Sequence, residues 1–162
     1  MPAFQLDALI DALVDAGVEF VVIGGTAAVL HGAPVVTGDV DIVHNRTAEN
    51  VARLLAVLLG VRAKARADRR NLPPTESALM GRGHVLLDTD LGPIDVLCEL
   101  DPGQDYHWLK TRSDVITRGG GELRIVDLPT LIELKTKAGR LKDRLTVPIL
   151  VATLEERARQ RE

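Results

Sequence analysis

Residues 21–45, VVIGGTAAVLHGAPVVTGDVDIVHN, hold the pattern that decides the fold. A short β-branched run, Phe20–Ile23, stops at Gly24-Gly25. Thr26–His31 then has the small-residue composition of a tight helical segment, and a loop framed by Pro34 and Gly38 leads into a second strand, Val40–His44. Thirteen residues after the glycine pair, Asp39 and Asp41 stand one residue apart in that apolar setting. On a strand, residues i and i+2 face the same way, so the two carboxylates project side by side. Adjacent carboxylates repel, and a half-buried charge is costly. A shared proton or a metal ion relieves both problems.

A further carboxylate, Asp95 in PIDVL, occupies the same kind of apolar strand. If that strand lies beside the first, three carboxylates converge on one edge. Mg²⁺ takes hard oxygen ligands, commonly one or two carboxylates together with substrate phosphates. Three would suit two ions roughly 3.5–4 Å apart clamping an in-line phosphoryl displacement. Taken singly, each aspartate also fits a plainer role: Asp39 as a turn residue after Gly38, and Asp41 and Asp95 at exposed sheet positions. Taken together behind a strand-Gly-Gly-helix turn, they favour a metal site, because backbone amides at such a turn can hold phosphate.

Outward from this centre, Phe4, Leu6, Leu9, Ile10, Leu13 and Val14 recur at helical spacing, closed by Gly17. Thr47 caps a helix running through Val51, Leu54, Leu55, Val57 and Leu58 to Gly60. Residues 61–74 show no apolar period and carry Arg62, Lys64, Arg66, Arg69 and Arg70, which reads as a solvated loop or as an electrostatic strip for an RNA acceptor. HVLLDTD and PIDVLCEL form a hairpin about Leu91-Gly92. DYHWLKTRSDVI reads as a helix, GELRIVD as a strand, and a long helical tail begins at Leu128-Pro129-Thr130, kinked at Pro148. The order predicts one α/β (α+β) domain over residues 1–162, a mixed sheet packed against helices.

Composition narrows the function classes. The chain has 162 residues, 46% apolar and 2% aromatic, so it is foldable with a core of Leu, Val, Ile and Ala. A net charge of −3 gives no whole-surface attraction to nucleic acid. One cysteine, Cys98, excludes an internal disulfide, fits a reducing cytoplasm and reads as a small buried side chain. No signal sequence or membrane-length apolar run is apparent, and a cytoplasmic location is expected. The four histidines, His31, His44, His84 and His107, lack ligand spacing; His44 is expected in a loop near the aspartate strand. The glycines do not match a dinucleotide-binding turn or a P-loop.

Gly24-Gly25, the thirteen-residue gap, Asp39-Val40-Asp41-Ile42 and the later Asp95 together resemble the polymerase-beta-type nucleotidyltransferase signature. VDLPTLIELKTKAGRLKD, residues 126–143, is similar to the C-terminal helix of small bacterial members related to the abortive-infection toxin-type group. The resemblance implies a minimal nucleotidyltransferase fold that binds a nucleoside triphosphate through Mg²⁺. Asp39 and Asp41 would hold the metal, in a two-ion site, with Asp95 as third ligand or as the base that activates an acceptor hydroxyl. The phosphates would lie against Gly24, Gly25 and Thr26, with Lys135 on the triphosphate and Arg140 and Lys142 as the alternatives. By helical spacing Lys135 and Lys142 share a face, whereas Lys137, Arg140 and Arg144 fall on another. A terminal-helix lysine equally suits a solvated face.

The implied reaction transfers a nucleoside monophosphate to RNA, a protein hydroxyl or a small molecule, releasing pyrophosphate. The other expectation is a toxin–antitoxin component or a catalytically degenerate domain that acts by binding a partner. The apolar tail would also support a homodimer.

Overall fold

The computed structural model describes residues 4–162. Helix α1 (Leu6–Asp15) buries Leu9, Ile10, Leu13 and Val14, the side marked by the sequence period. Gly17, at φ 73°, turns the chain into strand β1 (Phe20–Ile23), buried along its whole length. Helix α2 (Gly24–Leu30) follows without a linker, beginning at the glycine pair itself. Strand β2 (Val40–His44) runs back antiparallel to β1. Thr47 then caps α3 (Ala48–Gly60), its hydroxyl accepting from the Asn50 amide.

The next segment is more ordered than its composition suggests. It contains a two-residue strand, β3 (Lys64–Ala65), and a short helix, α4 (Glu76–Met80). Strands β4 (Val85–Thr89) and β5 (Gly92–Leu97) form the expected hairpin. Helix α5 (Tyr106–Lys110) is only five residues long, and Ser113–Arg118 is strand β6, so DYHWLKTRSDVI is not one helix. Val115, Ile116 and Thr117 are β-branched, and a turn at Gly119 (φ 58°) folds β6 onto β7 (Gly121–Val126). Strand pairing thus prevails over a helix-compatible local sequence.

The C-terminal tail is two helices, α6 (Leu128–Ala138) and α7 (Leu141–Gln160), rather than one kinked at Pro148. The break lies at Gly139, a left-handed cap at φ 62°, while Pro148 stays inside α7. Among the described residues, seven strands join in one sheet, ordered β3-β4-β5-β2-β1-β7-β6. The β2–β5 and β1–β7 pairs are parallel, and the other pairs are antiparallel. Val40 and Ile42 of β2, with Ile94 and Val96 of β5, turn into the core. Asp41 and Asp95 alternate onto the other face, in partly exposed positions. Among the described residues, no helix is long and apolar enough to cross a membrane.

Candidate functional site

The parallel pairing of β2 with β5 places Asp41 directly opposite Asp95. Asp39, at the entry to β2, completes a cluster in which one carboxylate oxygen from each residue lies within 4.8 Å of the others. The Asp39 backbone is pinned from two sides: the hydroxyls of Thr26 and Thr37 donate to its carbonyl at 2.6 and 3.1 Å. Thr26 is fully buried, so its hydroxyl serves that strut rather than facing the cleft.

The glycine pair makes room for the cluster. A Cβ on Gly24 would collide with the Asp41 carboxylate, and one on Gly25 would lie 2.9 Å from the Thr37 hydroxyl. Gly24 also has φ 64°, a conformation that side chains other than glycine's seldom allow. Both glycines line a cleft of about 620 Å³ that also takes in Asp39, Asp41 and Asp95. Residues of α6 and the α6–α7 junction form another wall of this cleft, with Leu131, Leu134, Lys135, Lys137, Arg140 and Lys142.

Crowding shapes the cluster's charge. Burial, then the charge of Asp39 and contact with Asp95, push the Asp41 carboxyl up to about 7. Burial and the Asp95 charge raise Asp39 as well, while Lys142 works in the opposite direction on both. One carboxylate oxygen, Asp95 Oδ1, is buried, with the Arg66 guanidinium 2.8 Å away. A ring of hard oxygen donors that repel one another is a donor set suited to a small divalent cation.

The cations divide into distinct roles. Lys135 is only 7% exposed, so the solvated-face expectation does not hold. Its ammonium lies 3.5 Å from Oδ1 of Asp143, a carboxylate with no exposure at all. Arg140 Nε donates to Asp143 Oδ2 at 2.7 Å, and this contact foremost holds the Asp143 carboxyl below its usual range. Lys142 is exposed where it lines the cleft. Lys135 and Lys142 therefore meet at one cleft from two helices, not along one face of a continuous helix. Lys137 pairs with Asp101 at 2.8 Å, and both residues line the cleft.

The basic segment contributes one side chain to the site that its sequence does not single out. Arg66 Nη1 lies 2.8 Å from Asp95 Oδ1, and Arg66 Nε lies 3.3 Å from Asp88. Arg62 pairs with Asp90, and Arg70 with Asp68, so acidic neighbours offset much of the proposed electrostatic strip. His44 is not a loop residue: it ends β2 on the core face, 3% exposed, and its Nε2–H donates to the Leu79 carbonyl. It lines a separate cavity with Cys98, which is buried as expected.

No protein-family model matches the chain, and no curated protein sequence matches it. In three dimensions it is similar to the crystal structure of a proposed nucleotidyltransferase from Thermotoga maritima. The two share 20% identity with a TM-score of 0.55, over 91% of this chain and 90% of the other. That likeness concerns the fold and does not extend to the abortive-infection toxin subgroup. The likeness lies in the mixed seven-stranded sheet packed with helices.

Proposed function

We propose that this protein is a Mg²⁺-dependent nucleotidyltransferase, moving a nucleoside monophosphate from a triphosphate to an acceptor hydroxyl. The observation that carries this reading is the convergence of Asp39, Asp41 and Asp95 within 4.8 Å at a cleft that also presents basic side chains. Asp39 and Asp41 would hold the metal, with Asp95 as third ligand. When bound, the metal supplies charge to oxygens of the triphosphate and of the attacking hydroxyl.

The remaining work falls to the chain's own residues. The triphosphate lies between Gly24-Gly25 and the basic wall, with Lys142, Arg140 and Lys135 facing its outer phosphates. The acceptor oxygen forms a bond to the α-phosphorus as the bond from that phosphorus to the bridging oxygen breaks, and pyrophosphate leaves. The hydroxyl proton passes to an Asp95 oxygen. Charge gathers on the departing pyrophosphate, and fixed cations stabilise that charge most where water is partly excluded. Lys142 suits this role because it is not committed to Asp143 as Lys135 and Arg140 are.

Thermal melting with each of the four common nucleoside triphosphates, with and without Mg²⁺, tests the proposal. A ligand that binds only the native state raises the melting temperature. We expect a rise that requires Mg²⁺ and disappears in the Asp39→Ala/Asp41→Ala double variant. A chain whose melting ignores all four nucleotides in the presence of Mg²⁺ would refute nucleotide transfer as its function.

A further inference from the structure

Strand β3 lies at one edge of the sheet, yet the residue just after it reaches the carboxylates. Ile23, Asp41, Asp95 and Leu86 are successive cross-strand partners, forming one row across four strands. The Arg66 amide donates to the Leu86 carbonyl at 2.9 Å, which extends the row by one more position. Two interstrand spacings, about 10 Å in all, separate the Arg66 and Asp95 backbones. An arginine side chain can span that distance, and this one does so past Leu86.

The guanidinium is anchored independently of the cluster. Nη2 donates to the Leu87 carbonyl at 2.8 Å, and Nε donates to Asp88 Oδ1 at 3.3 Å. It also reaches the cluster: Nη1 lies 2.8 Å from Asp95 Oδ1 and pairs with that carboxylate. Arg66 thus offsets part of the cluster's negative charge from an anchor outside it.

We propose that Arg66 is the resident counter-cation of the carboxylate cluster and sets its affinity for divalent metal. This inference rests on the reading of the cluster as a metal site. A divalent ion on Asp95 must replace the guanidinium there, and because β4 still anchors Arg66, the positive charge remains close after the exchange. Guanidinium is charged at every accessible pH, so the opposition does not titrate away. A free metal ion therefore meets repulsion from Arg66. An ion arriving with a triphosphate brings negative charge that offsets it, so Arg66 biases the site towards loading metal together with nucleotide.

Mn²⁺ binding, followed by electron paramagnetic resonance of the free ion without nucleotide, reads this directly. Arg66→Gln and Arg66→Met are compared with wild type, with Asp41→Asn and with Arg62→Gln, which removes a positive charge elsewhere on the protein. Circular dichroism melting establishes which variants are folded. The expected result is a dissociation constant roughly tenfold lower in either Arg66 variant, from removing a unit charge a few ångströms from a divalent ion. Arg62→Gln should remain at the wild-type value and Asp41→Asn should lose binding. An adenosine triphosphate analogue that cannot be cleaved should shrink the gap between wild type and the Arg66 variants.

Wild type and Arg66 variants binding Mn²⁺ equally would overturn this inference and leave the metal site standing. The same shift in Arg62→Gln would also overturn it, since net charge would then account for the change. No binding by wild type or any variant would remove the metal reading and this inference with it.

Discussion

The carboxylate of Asp41 occupies the space that a side chain on Gly24 would need. Gly24→Ala therefore combines a left-handed backbone strain with a steric conflict at a site residue. It should lower stability by about 1–3 kcal/mol and weaken Mn²⁺ binding, because Asp41 must rotate away. Denaturant unfolding and metal titration on the one variant check both. A loss of stability with unchanged metal affinity would show that Asp41 does not need this pose.

Gly139→Ala makes a cleaner comparison. Its backbone is also left-handed, at φ 62°, but the nearest atom to an added Cβ is the Thr136 carbonyl oxygen at 3.7 Å. Only the conformational penalty remains, about 1 kcal/mol. Urea unfolding should show that loss, smaller than the loss for Gly24→Ala.

The Asp41 carboxyl, raised from 3.8 to about 7, makes stability depend on pH. Between those two values the folded chain keeps a proton that the unfolded chain releases. The contribution is complete below about pH 4 and is lost as pH rises through 7. His44 acts in the opposite sense: burial lowers its pKa, so its effect weakens the fold as pH falls below about 6.5. The difference between wild type and Asp41→Asn reads the proton that Asp41 holds among its carboxylate neighbours Asp39 and Asp95. Without metal, Asp41→Asn should gain on wild type between pH 4.5 and 7.5, by on the order of 2 kcal/mol. Thermal melts across that range measure it, and a constant difference would count against a raised pKa.

Breaking the Lys135–Asp143 contact should be asymmetric. Asp143→Asn leaves the Lys135 ammonium buried without its counter-ion, which should cost about 3 kcal/mol. Lys135→Met leaves Asp143 with Arg140, whose side chain is 70% exposed and remains bonded to it, and should cost roughly 1 kcal/mol. Equilibrium unfolding of the two variants decides the order. Equal costs would mean that Lys135 rather than Arg140 carries the carboxylate.

Much of the site's first half was legible without coordinates. The i, i+2 spacing at the entry to β2 placed Asp39 and Asp41 together, the glycine pair marked the strand-to-helix turn, and Thr47 marked the start of α3. Each of these depends on a few neighbouring residues, through pleat, turn conformation and capping. The β6 strand escaped the same treatment because its identity depends on β7, its hairpin partner, as much as on its own side chains.

By itself, the sequence determined the local geometry of the aspartate strand and the types of ligand atom that it presents. Only the tertiary structure decided that Asp95 sits opposite Asp41, that Arg66 reaches both Asp88 and Asp95, and that Lys135 is buried against Asp143. Parallel pairing joins segments more than fifty residues apart, and an arginine from an edge can cross a neighbouring strand only after the sheet has assembled. Such contacts follow from packing the chain as a whole, and no short-range spacing encodes them.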